Sequence, residues 1–210
     1  DLGHTPFGHA GERILNELSP VGFHHYEQSL RVVDFIEKDG EGLNLTYAVR
    51  DGIKCHTNMT AATKEGCVVR LADTIAYINH DIDDAIRGGI ISQEDLPKDC
   101  VEFLGKDHGT RIDTLVKDII VQSDGKPEII QSEEAGTYMN KLRSYMFEAV
   151  YNSRIVKTES EMEKIRNLIF SLYDYYLERP ELLPAELARL IERDGVREVV
   201  KDHVAGMTDR

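Results

Sequence analysis

The chain is poor in cysteine, proline and positive charge, and it has no long apolar run. Its 3 cysteines, Cys55, Cys67 and Cys100, are an odd number without close pairing. That argues against a disulfide framework, and against a thiolate zinc site, which usually brings Cys-x-x-Cys pairs. They are expected to be reduced structural thiols. No apolar stretch reaches the ~20 residues that span a bilayer, and the first residues do not read as a signal peptide. A cytoplasmic protein without membrane contact is expected. Lys+Arg number 25 against 38 Asp+Glu, a formal charge of −13. Such a surface repels nucleic acid, leaving it at most the part of an effector. A polyanionic substrate would need a local cation cluster or a bound metal.

The 6 prolines fall near apparent element boundaries and leave long stretches uninterrupted. Those stretches carry helical periodicity. Helices are expected over 10–18, 25–38, 45–56, 65–87, 110–122, 132–151, 159–177, 184–193 and 196–205. Ile129-Ile130 is a weak strand signal. Without alternation of strands and helices the fold class is all-α.

Two stretches carry chemistry. The first is Asp1-Leu2-Gly3-His4-Thr5-Pro6-Phe7-Gly8-His9-Ala10-Gly11-Glu12. Gly3, Pro6 and Gly8 permit a tight turn, so histidines and acids can converge. His9 and Glu12 are three apart, which on a helix puts them on one face, where the carboxylate can orient the imidazole for proton transfer near neutral pH. A solvated loop with incidental histidines is the plainer alternative. The second stretch is Leu71-Ala72-Asp73-Thr74-Ile75-Ala76-Tyr77-Ile78-Asn79-His80-Asp81-Ile82-Asp83-Asp84. Asp73, Tyr77 and Asp81 recur every four residues as a polar stripe beside an apolar one of Val68, Leu71, Ala72, Ile75, Ile78 and Ile82. Asp73 sits among apolar neighbours, which points to burial with a cation partner, a metal being one option; an exposed acid on an ordinary amphipathic helix is the alternative. Asp83 and Asp84 read as exposed acids. Arg143 and Lys141 are candidate phosphate-binding cations, with ordinary surface positions as the default.

Together the two stretches resemble the HD-domain deoxynucleoside-triphosphate triphosphohydrolases of bacteria, the dGTPase-like proteins. The resemblance continues through His25-Tyr26-Glu27-Gln28-Ser29-Leu30-Arg31-Val32-Val33, Leu43-Asn44-Leu45-Thr46, Val49-Arg50-Asp51-Gly52-Ile53 and Gly206-Met207-Thr208-Asp209. It implies a single HD-type helical bundle with a catalytic core over about 1–90 and a helical extension over about 91–210. It implies hydrolysis of a deoxynucleoside triphosphate to deoxynucleoside and tripolyphosphate, with a divalent metal (Mn, Mg, Fe, Co or Zn). By position, Asp1 and Asp73 match metal ligands. His9 and Glu12 match the proton-handling pair, and His4 a phosphate-side histidine. Tyr77 and Asp81 match positions facing the sugar, and His25 aligns with another substrate-side histidine. Relatives are typically homo-oligomers.

The family's metal site also uses a histidine directly before the residue numbered Asp1 and another upstream. The chain is therefore expected to be a large fragment that lacks the N-terminal part of the HD domain and has little activity alone. Two other readings compete: an HD phosphohydrolase acting on a monophosphate or cyclic nucleotide, and a non-catalytic nucleotide-sensing or assembly subunit.

Overall fold

A computed structural model describes residues 2–57, 59–151 and 159–209. Among them the fold is all-α and no strand occurs. In chain order the helices are α1 (Gly8–Leu18), α2 (His25–Arg31), α3 (Glu37–Gly40), α4 (Tyr47–Lys54), α5 (Lys64–Arg87), α6 (Lys98–Leu104), α7 (His108–Ser123), α8 (Glu133–Met146), α9 (Glu159–Glu178), α10 (Ala185–Ala188), α11 (Ile191–Asp194) and α12 (Val196–Ala205). Ile129-Ile130 is not a strand. Ile130 N instead donates to Ser123 Oγ at 3.0 Å, which closes the α7–α8 connection.

The chain separates into two compact units, Asp1–Gly66 with Glu159–Arg210, and Cys67–Thr158. This division does not follow the sequence order of a core to about residue 90 and an extension beyond it. The physical reason is the return of the C-terminal helices to the N-terminal ones. Ile14 and Leu15 of α1, Ile169 and Tyr173 of α9, and Val199, Val200 and Val204 of α12 are buried in one cluster. Each such aliphatic side chain contributes roughly 1.5–3 kcal/mol when fully buried.

A buried polar knot adds to that core. Asp202 of α12, its side chain 0% exposed, receives Arg31 Nε at 2.8 Å on both oxygens and Gln28 Nε2 at 2.9 Å. Arg31 Nη2 also donates to Asp194 at 2.7 Å. Burial works against the Arg31 charge, but its bonds to Asp202 and Asp194 outweigh that and push its pKa up. The knot fixes α2, which carries His25, to the end of the chain.

The single helix expected over 25–38 is subdivided. After α2 the turn widens into a π-helix over Val32–Ile36, and Lys38 and Asp39 take φ of 52° and 57°. Contacts with the returning chain account for this: Leu43 N donates to Val33 O at 2.6 Å, and Arg50 grips Asp34 with bonds of 2.8 and 2.7 Å. The expected helix over 184–193 likewise divides into α10 and α11.

In the Cys67–Thr158 unit, Ile75, Ile78 and Ile82 of α5 pack with Leu104, Leu115, Leu142 and Met146. Val68 and Ala72, expected on that apolar stripe, are exposed. Arg111 is 1% exposed, and its guanidinium donates to Asn79 Oδ1 at 2.7 Å, Lys106 O at 3.2 Å and Asp83 Oδ1 at 3.3 Å. Asp83 also pairs with His108 Nδ1 at 2.9 Å, so it is a partnered, half-buried acid rather than a plain solvated one. Asp84 is exposed and pairs with Arg87, one turn further along α5, at 3.0 Å. The helix expected over 132–151 is α8 followed by a π-helix over Phe147–Tyr151.

Candidate active site

In the unit that contains the first stretch, residues 2–7 are held in place by close packing. Gly3 N donates to Ser29 Oγ at 2.9 Å, and a Cβ on Gly3 would stand 2.1 Å from His25 O. A Cβ on Gly11 would stand 1.9 Å from Pro6 O. Only glycine lets the segment approach both α2 and its own turn so closely. Phe7 N donates to Asp209 Oδ1 at 2.7 Å, which ties the turn to the chain's far end. His4 is exposed, with its ring over Gly8.

Glu12 meets His25. Its Oε1 receives His25 N and His25 Nδ1, both at 2.9 Å. Burial alone would raise the Glu12 pKa, but the ring and backbone hydrogen bonds from His25 outweigh it and hold the value at about 2. A carboxylate ionised at neutral pH therefore accepts the hydrogen bond from His25 Nδ1–H and fixes the tautomer of His25. The expectation that Glu12 orients His9 is corrected to this extent: its hydrogen bonds run to His25, because the start of α2 lies against α1. His9 is exposed and contributes electrostatically to Glu12, with its ring edge-on to His25 at 6.3 Å. A third ring, His56, lies edge-on to His25 at 5.2 Å. His56 is buried and its Nδ1 donates to Ile53 O at 2.7 Å. Sequence reasoning missed His56, which comes after α4 and carries no motif.

The second unit brings together the second stretch and the end of α8. Tyr77 and Asp81 are half-buried on α5, and Tyr151 closes on both. The Tyr151 hydroxyl donates to Asp81 Oδ2, and its ring stacks on Tyr77 at 6.4 Å with planes 10° apart. Burial first, then Asp81 and Tyr77, push the phenol's pKa up, so it remains a donor. Phe147 meets Tyr151 edge-on at 5.2 Å, and the Arg143 guanidinium lies 5.9 Å from the Phe147 centroid. Asn140, Arg143, Ser144, Phe147 and Glu148 line an open depression of about 530 Å³. Sequence reasoning missed Tyr151 as well; the four-residue spacing Arg143, Phe147, Tyr151 is the signal that marks it. Lys141, the other candidate cation, is spent on an exposed pair with Asp99.

Asp73 is exposed, not buried among its apolar neighbours: Val69, one turn before it, and the adjacent Ala72 are uncovered too. Asp1 lies outside the described residues. Among the described residues no group of three or more His, Cys, Asp or Glu could hold a metal ion. No helix among them is long and apolar enough to cross a membrane.

Comparison with known proteins gives the geometry its context. Residues 129–210 match the phosphohydrolase-associated domain. A deoxyguanosinetriphosphate triphosphohydrolase-like protein of Caldanaerobacter subterraneus subsp. tengcongensis is 50% identical over 100% of this chain and 62% of its own length. The protein of the same description from Clostridium tetani is 42% identical, with 100% and 63% covered. That from Syntrophus aciditrophicus is 32% identical, with 100% of this chain and 68% of the relative aligned. The chain thus spans less than two thirds of the first two relatives. With the paired motifs, the helical fold and this similarity along its whole length, the chain belongs to the deoxyguanosinetriphosphate triphosphohydrolase-like family of phosphohydrolases.

Proposed function

We propose that the chain forms the catalytic body of a deoxynucleoside-triphosphate triphosphohydrolase. The observation that carries this reading is the closure of Tyr151 over Tyr77 and Asp81. Two stacked phenols and a carboxylate fixed by one of them make a rigid edge for a sugar. Asp81 would accept from a deoxyribose hydroxyl, and the tyrosine pair would leave no space for a 2′-hydroxyl. Arg143 would supply a cation for the phosphate chain.

In the reaction, a water oxygen bonds to the α-phosphorus and the bond from that phosphorus to the sugar 5′-oxygen breaks. One proton leaves the water and one is needed on the 5′-oxygen. His25, its Nδ1 proton held by Glu12, has its Nε2 left for proton transfer, and His9 and His4 are the neighbouring imidazoles that would share this task. Asp1 and Asp73 are proposed as two ligands of a divalent cation, which would offset phosphate charge, and elemental analysis of the complete gene product tests it. A homo-oligomer is proposed as well, testable by light scattering: Leu168 and Tyr175 leave apolar surface on α9. The work is assigned to the cytoplasm.

The deciding experiment is a panel of deoxynucleoside and ribonucleoside triphosphates, monophosphates and cyclic nucleotides with product analysis. Tripolyphosphate from deoxynucleotides is the expected result. Orthophosphate or an opened cyclic ester would assign another phosphohydrolase reaction, and binding without turnover would assign a sensing subunit.

A further inference from the structure

The acidic excess of this chain makes arginine partners easy to find. Arg31 meets Asp194 and Asp202, Arg50 meets Asp34, Arg87 meets Asp84, and Arg111 meets Asp83. Arg70 of α5 departs from that pattern. Its Nε is buried, yet among the described residues it has no hydrogen-bond partner. A guanidinium cannot discard its proton to escape the cost, so a buried N–H of this kind calls for an acceptor.

We propose that Arg70 is a further substrate-binding residue, which grips oxygens of the nucleotide's phosphate chain. The proposal rests on the triphosphohydrolase reading above. Three observations converge on it. First, helical spacing sets Arg70, Thr74, Tyr77 and Asp81 on one stripe at i, i+4, i+7 and i+11, with Asp73 bordering it. Second, the order along that stripe is chemically directional. Arg70 lies one turn before Asp73, and the sugar-facing pair Tyr77 and Asp81 lies one and two turns after it. From Arg70 to Asp81 the helix rises by about 16 Å. An extended nucleoside triphosphate laid along α5 with its sugar at Tyr77 carries its phosphates toward Arg70. Third, Thr74 Oγ1 already donates to Arg70 O at 3.0 Å, so the neighbouring hydroxyl is committed to the backbone. That leaves the guanidinium as the donor of this turn. A planar fork of N–H groups matches phosphate oxygens in pairs, as a lysine point charge does not.

The test uses the complete gene product, with Arg70→Gln and Arg70→Lys beside the wild type. Calorimetry measures binding of inorganic tripolyphosphate and, separately, of a deoxynucleoside. Arg70→Gln is expected to weaken tripolyphosphate binding by ~10-fold or more, the size of a lost charged hydrogen bond, with deoxynucleoside binding unchanged. Arg70→Lys is expected to recover part of that loss. Equal tripolyphosphate affinity in Arg70→Gln and wild type overturns the proposal. So does loss of helical circular dichroism in both variants, which would make Arg70 a structural residue. Wild-type protein that binds tripolyphosphate but turns over no deoxynucleotide would remove the triphosphohydrolase reading and leave the Arg70 comparison intact.

Discussion

The two compact units assemble their chemical groups in different ways. In Asp1–Gly66 with Glu159–Arg210, the groups come from a turn and from helix starts, joined by contacts across long sequence separations. Glu12 reaches His25, Gly3 reaches Ser29, and Arg31 reaches Asp202. In Cys67–Thr158 the groups come from two helical stripes of regular spacing, and Tyr151 joins them. An assembly of the first kind depends on residues far from the chemistry. An assembly of the second kind depends mainly on the phase of its helices, so substitutions should act locally.

The largest effect is expected at the distant anchor of the first unit. Asp202→Ala leaves Arg31 buried beside fewer acids and should cost ~3–5 kcal/mol of stability. Urea unfolding measures it. A loss below ~1 kcal/mol would mean that the first unit does not depend on its polar knot.

Next comes the carboxylate that serves His25. Glu12→Gln should lower turnover by ~100-fold or more, as for other lost acid–base partners. The same variant has a pH signature. The folded pKa of about 2 is below the ordinary 4.5, so the ionised form stabilises the fold. That contribution is complete above pH 4.5 and is lost as pH falls toward about 2. Acid unfolding of the glutamine variant should be flatter in this window. An unchanged acid profile and normal turnover would remove Glu12 from the site.

In the second unit, Tyr151→Phe removes a donor to an ionised acid, worth ~1.5–3 kcal/mol. Preference for deoxyribonucleotides over ribonucleotides should fall ~10-fold, and the melting temperature should drop by several degrees. Unchanged preference in both this variant and Tyr77→Ala would end the sugar assignment. The smallest effect is expected for Lys141→Ala. The pair with Asp99 is exposed and screened by solvent, so stability and turnover should stay the same. A large loss of activity would return Lys141 to the site.

The same contrast governs what the sequence discloses. The α5 stripe of Asp73, Tyr77 and Asp81 is readable because helical period alone places its members. The all-α class and the positions of most long helices come from the same periodicity. Partner choice is less readable. Nothing in the spacing of His9 and Glu12 says that His25, thirteen residues beyond Glu12, takes the carboxylate. That choice is made by the packing of α2 on the first turn, where Gly3 admits a backbone no other residue would. The exposure of Asp73 is not legible either, because apolar neighbours in sequence do not guarantee a covering element. The knot at Asp202 is silent in sequence for a similar reason: a lone acid in Lys201-Asp202-His203 looks solvated until Arg31 is brought to it.

The wide turn over Phe147–Tyr151 works as a gear change. Each residue of an ordinary helix advances the side chain by about 100°, so an extra residue within a turn shifts the phase of every later side chain. Tyr151 reaches Asp81 in the shifted phase. A lineage that lost one residue between Phe147 and Tyr151 would keep its helix and its core through Met146, yet aim a different side chain at the acid. Length in this short stretch, more than residue identity, sets whether a phenol arrives there.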